Sequence, residues 1–256
     1  MLECRGFVSL VGVQCCYANP TSGVLIVAHV DDFLVYGGGA ELRNLIKDLQ
    51  RDFEVNGQIL GPDAEAGEVD TIRFLGRSIR YTESGLEWEG DEKHVTAFLS
   101  KLAAGPLKGV ATPGIKSEDC AGVPDGLRED DHRECDDKDT YMNAADTSLY
   151  RGLTALLNFM SQDRVDISFA SKEVAKSMSS PRIADWAPIK RLGRYLTTYP
   201  RCISVFSWQR PIEAVTALTD SDWGGDQRTR RSTSGGLLLR GVHTIGHWSR
   251  TQQVVA

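Results

Sequence analysis

Apolar runs bounded by turn-forming residues predict β-strands in the first part of the chain. The predicted strands cover residues 8–17, 24–30 and 33–36, with a turn at 19–23. Residues 71–81 and 86–89 predict a further hairpin, which closes at 83–85. The acidic pair Asp31 and Asp32 interrupts the apolar sequence between two of these strands. We therefore expect this pair to lie at the tip of a β-hairpin, with its side chains on the open side of a small sheet.

Apolar residues at helical spacing predict several amphipathic helices. The first begins at Ala40, and its apolar positions are Leu42, Leu45, Ile46, Leu49 and Phe53. Further helices are predicted at 91–102, 146–160, 167–178 and 185–196. In the last of these, we expect Asp185 to cap the helix and Pro188 to lie in its first turn. Strands follow at 202–208, 215–218 and from 236 to the C-terminus, so the predicted fold class is α+β.

Composition indicates an ordinary globular protein. The chain has 256 residues, of which 41% are hydrophobic and 25% charged, a usage that argues against a disordered or fibrous protein. Its longest apolar stretch, residues 23–30, is too short to span a bilayer, and the first residues do not resemble a signal peptide. The six cysteines are scattered and favour reduced thiols. We therefore expect a cytoplasmic or nuclear protein without a membrane partner.

The distribution of charge is uneven along the chain. The net charge is −6, yet residues 182–256 contain eleven basic and five acidic residues, whereas residues 116–139 contain four basic and ten acidic residues. The basic part can face phosphates, and its candidate nucleic-acid-binding residues are Lys190, Arg191 and Arg194. An ordinary solvated helix surface explains the same charges equally well. The acidic part lacks apolar periodicity and predicts an exposed linker.

Two acidic motifs are candidates for metal chemistry. Asp31 and Asp32 would present two carboxylates at one end of a hairpin, and carboxylate oxygens are ligands that Mg²⁺ prefers. A solvated turn is the simpler explanation of the same pair. Asp220 and Asp222 share a face if their strand extends that far, although acidic residues at a strand end are common. A calcium loop of the EF-hand type is excluded, because Gly224 and Arg231 would occupy positions that need oxygen ligands.

The other metal-ligating residue types give a weak pattern. Cys120, His132 and Cys135 lie near one another in the acidic segment, but their spacing does not match a structural zinc site and a fourth ligand is not evident. We interpret them as incidental residues of the linker.

Taken together, several motifs resemble the Pol polyproteins of copia-type retrotransposons. Residues 28–37 resemble the Tyr-Val-Asp-Asp signature of reverse transcriptases, with His29 where the family usually has Tyr. Further landmarks follow in family order at 74–76, 150–153, 164–167, 178–181, 186, 190–196, 220–226 and 231–235. Because these landmarks cover nearly the whole chain, an accidental agreement is very improbable.

The resemblance implies a division of the chain into parts of two enzymes. It implies a partial reverse transcriptase palm at 1–112, a helical connection at 146–200 and a truncated ribonuclease H-like α/β domain at 201–256; the acidic linker expected from composition occupies 113–145 between the first two. Asp31 and Asp32 carry over as catalytic Mg²⁺ ligands of the polymerase, and Asp220 as the first catalytic, metal-binding carboxylate of the ribonuclease H site. The implied partners are an RNA template, a DNA primer, their RNA–DNA hybrid and deoxynucleoside triphosphates.

The chain also departs from the family pattern. The resemblance places a third polymerase carboxylate upstream of the hairpin and a ribonuclease H glutamate downstream of the last residues, so both two-metal sites are expected to be incomplete and inactive in this chain alone. His29, and Val165 where the family prefers Pro, indicate a divergent copy. The alternative is an inactive relic that at most binds nucleic acid through its basic end. An unrelated nuclease using Asp220 and Asp222 would leave the hairpin at Asp31 unexplained.

Overall fold

The computed structural model describes residues 2–102, 107–114, 140–226 and 229–255. It mixes helices and strands, which confirms the α+β class at that level. The chain forms two compact units, Met1–Trp88 and Glu89–Ala256. Most of the predicted acidic linker, including Cys120, His132 and Cys135, lies outside the described residues.

The first unit contains a four-stranded antiparallel sheet in the order β1-β2-β3-β4. Its strands are β1 (Val8–Ser9), β2 (Cys16–Ala18), β3 (Leu25–His29) and β4 (Asp32–Tyr36). One face of the sheet packs against helix α1 (Gly39–Gln50) because alternate strand residues point to the same side. The resulting core contains Leu2, Phe7, Val24, Ile26, Leu45 and Leu49.

Two predictions for this unit are wrong in their boundaries. The predicted strand at 8–17 is two short strands, because Gly12 and Cys15 have φ values of 81° and 57° that bend the backbone into a loop. The amide of Leu10 donates to the carbonyl of Cys16 at 2.9 Å and closes that loop. Helix α1 ends at Gln50, so Phe53 lies beyond it.

The predicted hairpin at 71–89 contains a further turn. Leu75 and Gly76 have φ values of 49° and 73°, as required by a tight two-residue hairpin turn. The result is β7 (Thr71–Phe74) and β8 (Arg77–Thr82), which pair antiparallel, followed by β9 (Gly85–Gly90). A small parallel pair, β5 (Ile59–Leu60) and β6 (Glu68–Val69), precedes them.

Four helices build the core of the second unit. They are α2 (Lys93–Leu102), α3 (Ala144–Met160), α4 (Val165–Ala175) and α5 (Trp186–Thr198). Their fully buried side chains include Phe98, Leu153, Leu157, Ile167, Ile189, Leu192 and Leu196. These positions repeat at helical spacing, and all four helices were predictable on that basis.

The prediction that the side chain of Asp185 caps α5 is wrong. Its side chain makes no hydrogen bond to the first turn of that helix. Instead, one carboxylate oxygen accepts the backbone N–H of Arg182 at 2.7 Å and the other accepts the hydroxyl of Ser177 at 2.9 Å. The reason is a short 3-10 turn at Ile183–Asp185, whose entry this carboxylate stabilises.

The second unit also contains an antiparallel sheet in the order β11-β12-β13. After β10 (Ile203–Ser207), the strands are β11 (Thr216–Ser221), β12 (Arg231–Arg240) and β13 (His243–Val255). The Trp248 side chain lies over Gly236, where a Cβ atom would be 2.2 Å from its ring, so only glycine fits. Helix α4 packs against β13. The predicted strands at 202–208 and 215–218 are present. The predicted strand from 236 to the C-terminus is divided into β12 and β13, because the chain turns at Gly241, which has a φ of 62°, and β12 begins earlier than expected.

Candidate metal-binding and nucleic-acid-binding sites

Asp31 and Asp32 lie at the tip of a hairpin, as predicted. Strands β3 and β4 pair His29 with Asp32, so Val30 and Asp31 alone form the turn. Val30 has a φ of 54° although its side chain is β-branched and 85% exposed, an unfavourable conformation for this residue type. Both aspartates are exposed to solvent. The strand register places Asp32 with His29 on the open face of the sheet.

The opposite face of the sheet fixes this hairpin in place. Ile26 is buried, and its cross-strand neighbour Val35 packs against the same core. After β4, Gly37 passes so close to Val24 that a Cβ atom would lie 2.9 Å from its side chain. The glycine therefore allows the chain to turn directly from β4 towards α1, which covers the core face.

Asp220 lies near the end of β11, opposite Gly235 of β12. Its carboxylate accepts the backbone N–H of Ser221 at 2.8 Å and is otherwise exposed. Asp220 lines a cleft of about 510 Å³ between α4 and the sheet, together with Phe169 and Ser249. The hydroxyl of Ser249 is buried and has no hydrogen-bond partner within the part of the chain that the structure describes.

Asp222 lines the same cleft but has a structural contact that Asp220 lacks. One carboxylate oxygen accepts the backbone N–H of Thr233 at 2.7 Å and that of Gly225 at 3.3 Å. The backbone N–H of Asp222 in turn donates to the carbonyl of Thr233 at 3.1 Å. Asp222 therefore joins the end of β11 to the start of β12.

Asp226 connects the same loop to helix α4. Its carboxylate accepts a charge-assisted hydrogen bond from Lys176 at 2.9 Å and another from the backbone of Thr229 at 2.9 Å. The Thr229 N–H, followed by Lys176, holds the pKa of Asp226 far below its usual range. Lys176 was not identified from the sequence, since no local pattern relates it to a residue fifty positions away.

The basic residues of α5 contact the segment 107–114. Arg191 donates to the carbonyl of Thr112 at 3.0 Å and to its hydroxyl at 2.7 Å. Arg194 donates to the carbonyl of Lys108 at 2.7 Å, whereas Lys190 is exposed. Two of the three predicted nucleic-acid-binding residues thus have a structural role, and binding of nucleic acid by this helix stays a prediction.

The motif at 164–167 forms a partly buried ionic network. Asp166 accepts two hydrogen bonds from Arg164 and a third, at 3.0 Å, from the hydroxyl of Tyr195. Burial of Tyr195 and the negative charge of Asp166 raise the pKa of this phenol to about 12. The network therefore connects the start of α4 to α5.

The motif at 150–153 contacts the motif at 178–181. Arg151 donates to the carbonyls of Met178 and Ser179 at 2.8 and 2.9 Å. The hydroxyl of Tyr150 donates to the carbonyl of Val174 at 2.7 Å, and burial raises its pKa to about 12. These contacts hold the C-terminal end of α4 against α3. Both motifs therefore stabilise the helical core.

Comparison with known proteins supports the family resemblance. The chain is 26% identical over 231 residues to the retrovirus-related Pol polyprotein from transposon RE1 of Arabidopsis thaliana, a match that covers 90% of the chain and 14% of the polyprotein. It is 26% identical over 237 residues to the corresponding polyprotein from transposon TNT 1-94 of Nicotiana tabacum, covering 91% and 16%. These matches confirm that the chain resembles the Pol polyproteins of copia-type retrotransposons.

The Pol match covers only a small part of those polyproteins. A third relative, the uncharacterized mitochondrial protein AtMg00810 of Arabidopsis thaliana, is 28% identical over 231 residues, which cover 89% of the chain and 83% of that protein. No family model matches the chain, and neither does a solved structure. None of the helices that the structure describes has the length and apolar character needed to cross a membrane.

The described residues do not form a complete Mg²⁺ site. The carboxylates of Asp31 and Asp32 are suitable donors, and so is that of Asp220. However, within residues 2–102, 107–114, 140–226 and 229–255, no three His, Cys, Asp or Glu side chains come together as a metal-binding group. Because two-metal catalysis requires several converging ligands, neither acidic motif is sufficient on its own.

Proposed function

We propose that this chain is the part of a Pol polyprotein that carries the metal-binding hairpin of an RNA-directed DNA polymerase and the first strands of a ribonuclease H domain. In the complete polyprotein, Asp31 and Asp32 would be Mg²⁺ ligands for DNA synthesis from a primer on an RNA template. Asp220 would be a ligand at a second site, which cleaves the RNA strand of the hybrid. Mg²⁺ would supply charge neutralisation at the reacting phosphate.

The observation that carries this proposal is the two-residue turn at Val30 and Asp31. A sheet packed on α1 holds the turn, so the carboxylates of Asp31 and Asp32 project from a fixed support and not from a mobile loop. The unfavourable φ of Val30 supports the same view, because strained backbone is concentrated at functional sites. The family resemblance of residues 28–37 adds the expected chemistry.

The proposal includes a division of both sites between this chain and other parts of the polyprotein. The chain matches 14% of the length of the RE1 polyprotein, so other segments are available to supply the remaining carboxylates. The competing proposal is an inactive relic. It draws support from the incomplete ligand sets of the described residues and from His29, which replaces the usual Tyr of the signature.

The test of the proposal is complementation of the polymerase site. The chain is joined to the segment of the RE1 polyprotein that precedes the matched 231 residues, and primer extension on an RNA template is measured with Mg²⁺. We expect extension by the joined protein and its loss in Asp31→Asn and Asp32→Asn. Asp48→Asn, which changes a half-exposed carboxylate on α1, is the matched control and should keep activity. A joined protein that binds template and primer but never extends the primer favours the relic.

A further inference from the structure

The loop after Asp220 exposes an aromatic side chain to solvent. Trp223 is 84% exposed, although large aromatic side chains are usually buried over much of their surface. Its neighbours along the chain are Asp222 and the pair Gly224 and Gly225, which offer no apolar surface to cover the indole. The position of this ring therefore needs a physical reason.

Hydrogen bonds fix the backbone on both sides of Trp223. Before it, the carboxylate of Asp222 accepts the N–H of Thr233 at 2.7 Å. After it, the N–H of Gly224 donates to the buried hydroxyl of Ser232 at 2.9 Å. Since both flanking residues are attached to β12, the loop cannot easily rearrange to bury the indole. The ring is held in an exposed position by the same contacts that order the loop.

Two arginines accompany the indole. The guanidinium of Arg230 lies against Gly224, where a Cβ atom would be 3.3 Å from its Nη2. Arg230 has a φ of 56°, which returns the chain towards this glycine. Arg231 follows directly, and both arginines are exposed. The ring, Arg230 and Arg231 thus lie among the described residues between the end of β11 and the start of β12, close in sequence to Asp220.

This combination fits a nucleic-acid strand better than a protein surface. A protein partner would need a contiguous apolar patch, whereas this loop offers one indole among glycines and charged residues. An aromatic face stacks on any base, and guanidinium groups bind phosphates. The combination of stacking and charge is typical of sites that bind a nucleic-acid strand without sequence preference.

We propose that Trp223, Arg230 and Arg231 form a nucleic-acid contact that stacks on a base and binds the adjacent phosphates of a strand presented to Asp220. This contact rests on the proposed ribonuclease H function, because that function supplies the strand. It assigns to Trp223 a role in substrate binding that is separate from metal binding by Asp220.

The proposal is tested by fluorescence anisotropy with a labelled RNA–DNA hybrid and with labelled single-stranded RNA. Trp223→Ala should weaken binding of at least one probe about tenfold, the size expected for loss of one stacked base, and Trp223→Phe should restore part of the affinity. Arg230→Ala combined with Arg231→Ala should reduce the slope of log affinity against log salt by about two. Trp208→Ala and Arg210→Ala are the controls, since both residues are exposed after β10, and should leave affinity unchanged.

The outcomes separate this contact from the proposed function. Equal binding by wild type and the Trp223 and arginine variants overturns the contact and leaves the proposed function intact. A wild-type chain that binds neither probe overturns the contact together with the proposed substrate. Other Pol segments added without nucleic acid could instead cause a blue shift of the indole fluorescence that Trp223→Phe abolishes. That result would assign Trp223 to a protein interface and overturn the proposal.

Discussion

Arg164 binds both carboxylate oxygens of Asp166, with its Nε at 3.2 Å from one oxygen and its Nη2 at 2.6 Å from the other. Arg164 is 6% exposed, and its guanidinium also donates to the carbonyls of Tyr199 and Pro200. One side chain thus connects the start of α4 to the end of α5. The motif at 164–167 therefore stabilises the fold, whether or not it has a catalytic role.

Removing the carboxylate of Asp166 should destabilise the protein strongly. Asp166→Ala leaves a buried guanidinium without its counter-ion, and loss of one partner of a buried pair costs about 3 kcal/mol. Denaturant unfolding measures this change in the free energy of unfolding. Asp48→Ala is the control, because it breaks only an exposed pair with Arg51 and should cost less than about 1 kcal/mol. Equal losses in the two variants would contradict the structural role of Asp166.

Asp226 should make the stability depend on acid pH. Its pKa is lower in the folded state than in the unfolded chain, so its contribution is fully present above the unfolded pKa of about 4 and is lost as the pH falls further. Asp226→Asn should therefore lose less stability than wild type between about pH 5 and about pH 3, two values on either side of that unfolded pKa. Urea unfolding at both pH values measures the difference. An unchanged pH dependence would show that the contacts with Thr229 and Lys176 do not stabilise the charged form.

The two acidic residues of the cleft should respond differently to substitution. Asp222→Ala removes the acceptor of two backbone N–H groups and should lower the free energy of unfolding by about 1–2 kcal/mol. Asp220→Asn changes an exposed carboxylate and should stay within about 0.5 kcal/mol of wild type. Thermal and urea unfolding compare the two variants. If Asp220→Asn is the more destabilising change, the separation into a structural and a functional acid is wrong.

The turn at Val30 should be relieved by glycine. Val30→Gly removes a β-branched side chain from a φ of 54° and, because the side chain is largely exposed, should raise the free energy of unfolding by about 1 kcal/mol. Val27→Gly, on the neighbouring strand, is the matched control and should lower it by a similar amount, about 1 kcal/mol. Destabilisation by Val30→Gly would mean that the valine side chain has a favourable contact, and the inferred strain would be refuted.

The sequence allowed prediction of elements whose signal is local. Helices α3 and α5 follow from apolar residues repeated at helical spacing, and the hairpin at Asp31 follows from two apolar runs separated by a polar pair. The prediction of one continuous strand at 8–17 was wrong. Apolar residues such as Val11 suggested strand pairing, whereas the positive φ of Cys15 bends the chain. Periodicity carries no information on such a backbone conformation.

Contacts between distant positions could not be predicted in the same way. The charges of Arg191 and Arg194 suggested a free basic surface, because the sequence does not show that carbonyls of Thr112 and Lys108 lie beside them. The pair Lys176 and Asp226 was missed for the same reason. The family resemblance identified Asp220 but could not assign Asp222, whose role depends on the backbone N–H of Thr233.

The most direct test of the divided sites is activity of the isolated chain. Primer extension and hybrid cleavage are measured on purified protein with Mg²⁺ or Mn²⁺, alongside Asp31→Asn and Asp220→Asn. We predict that the parent chain stays at the level of the two variants in both assays. Two-metal catalysis requires several converging ligands, and among its described residues no three His, Cys, Asp or Glu side chains come together. Extension that disappears in Asp31→Asn, or cleavage that disappears in Asp220→Asn, would contradict the account and show that this chain completes a site by itself.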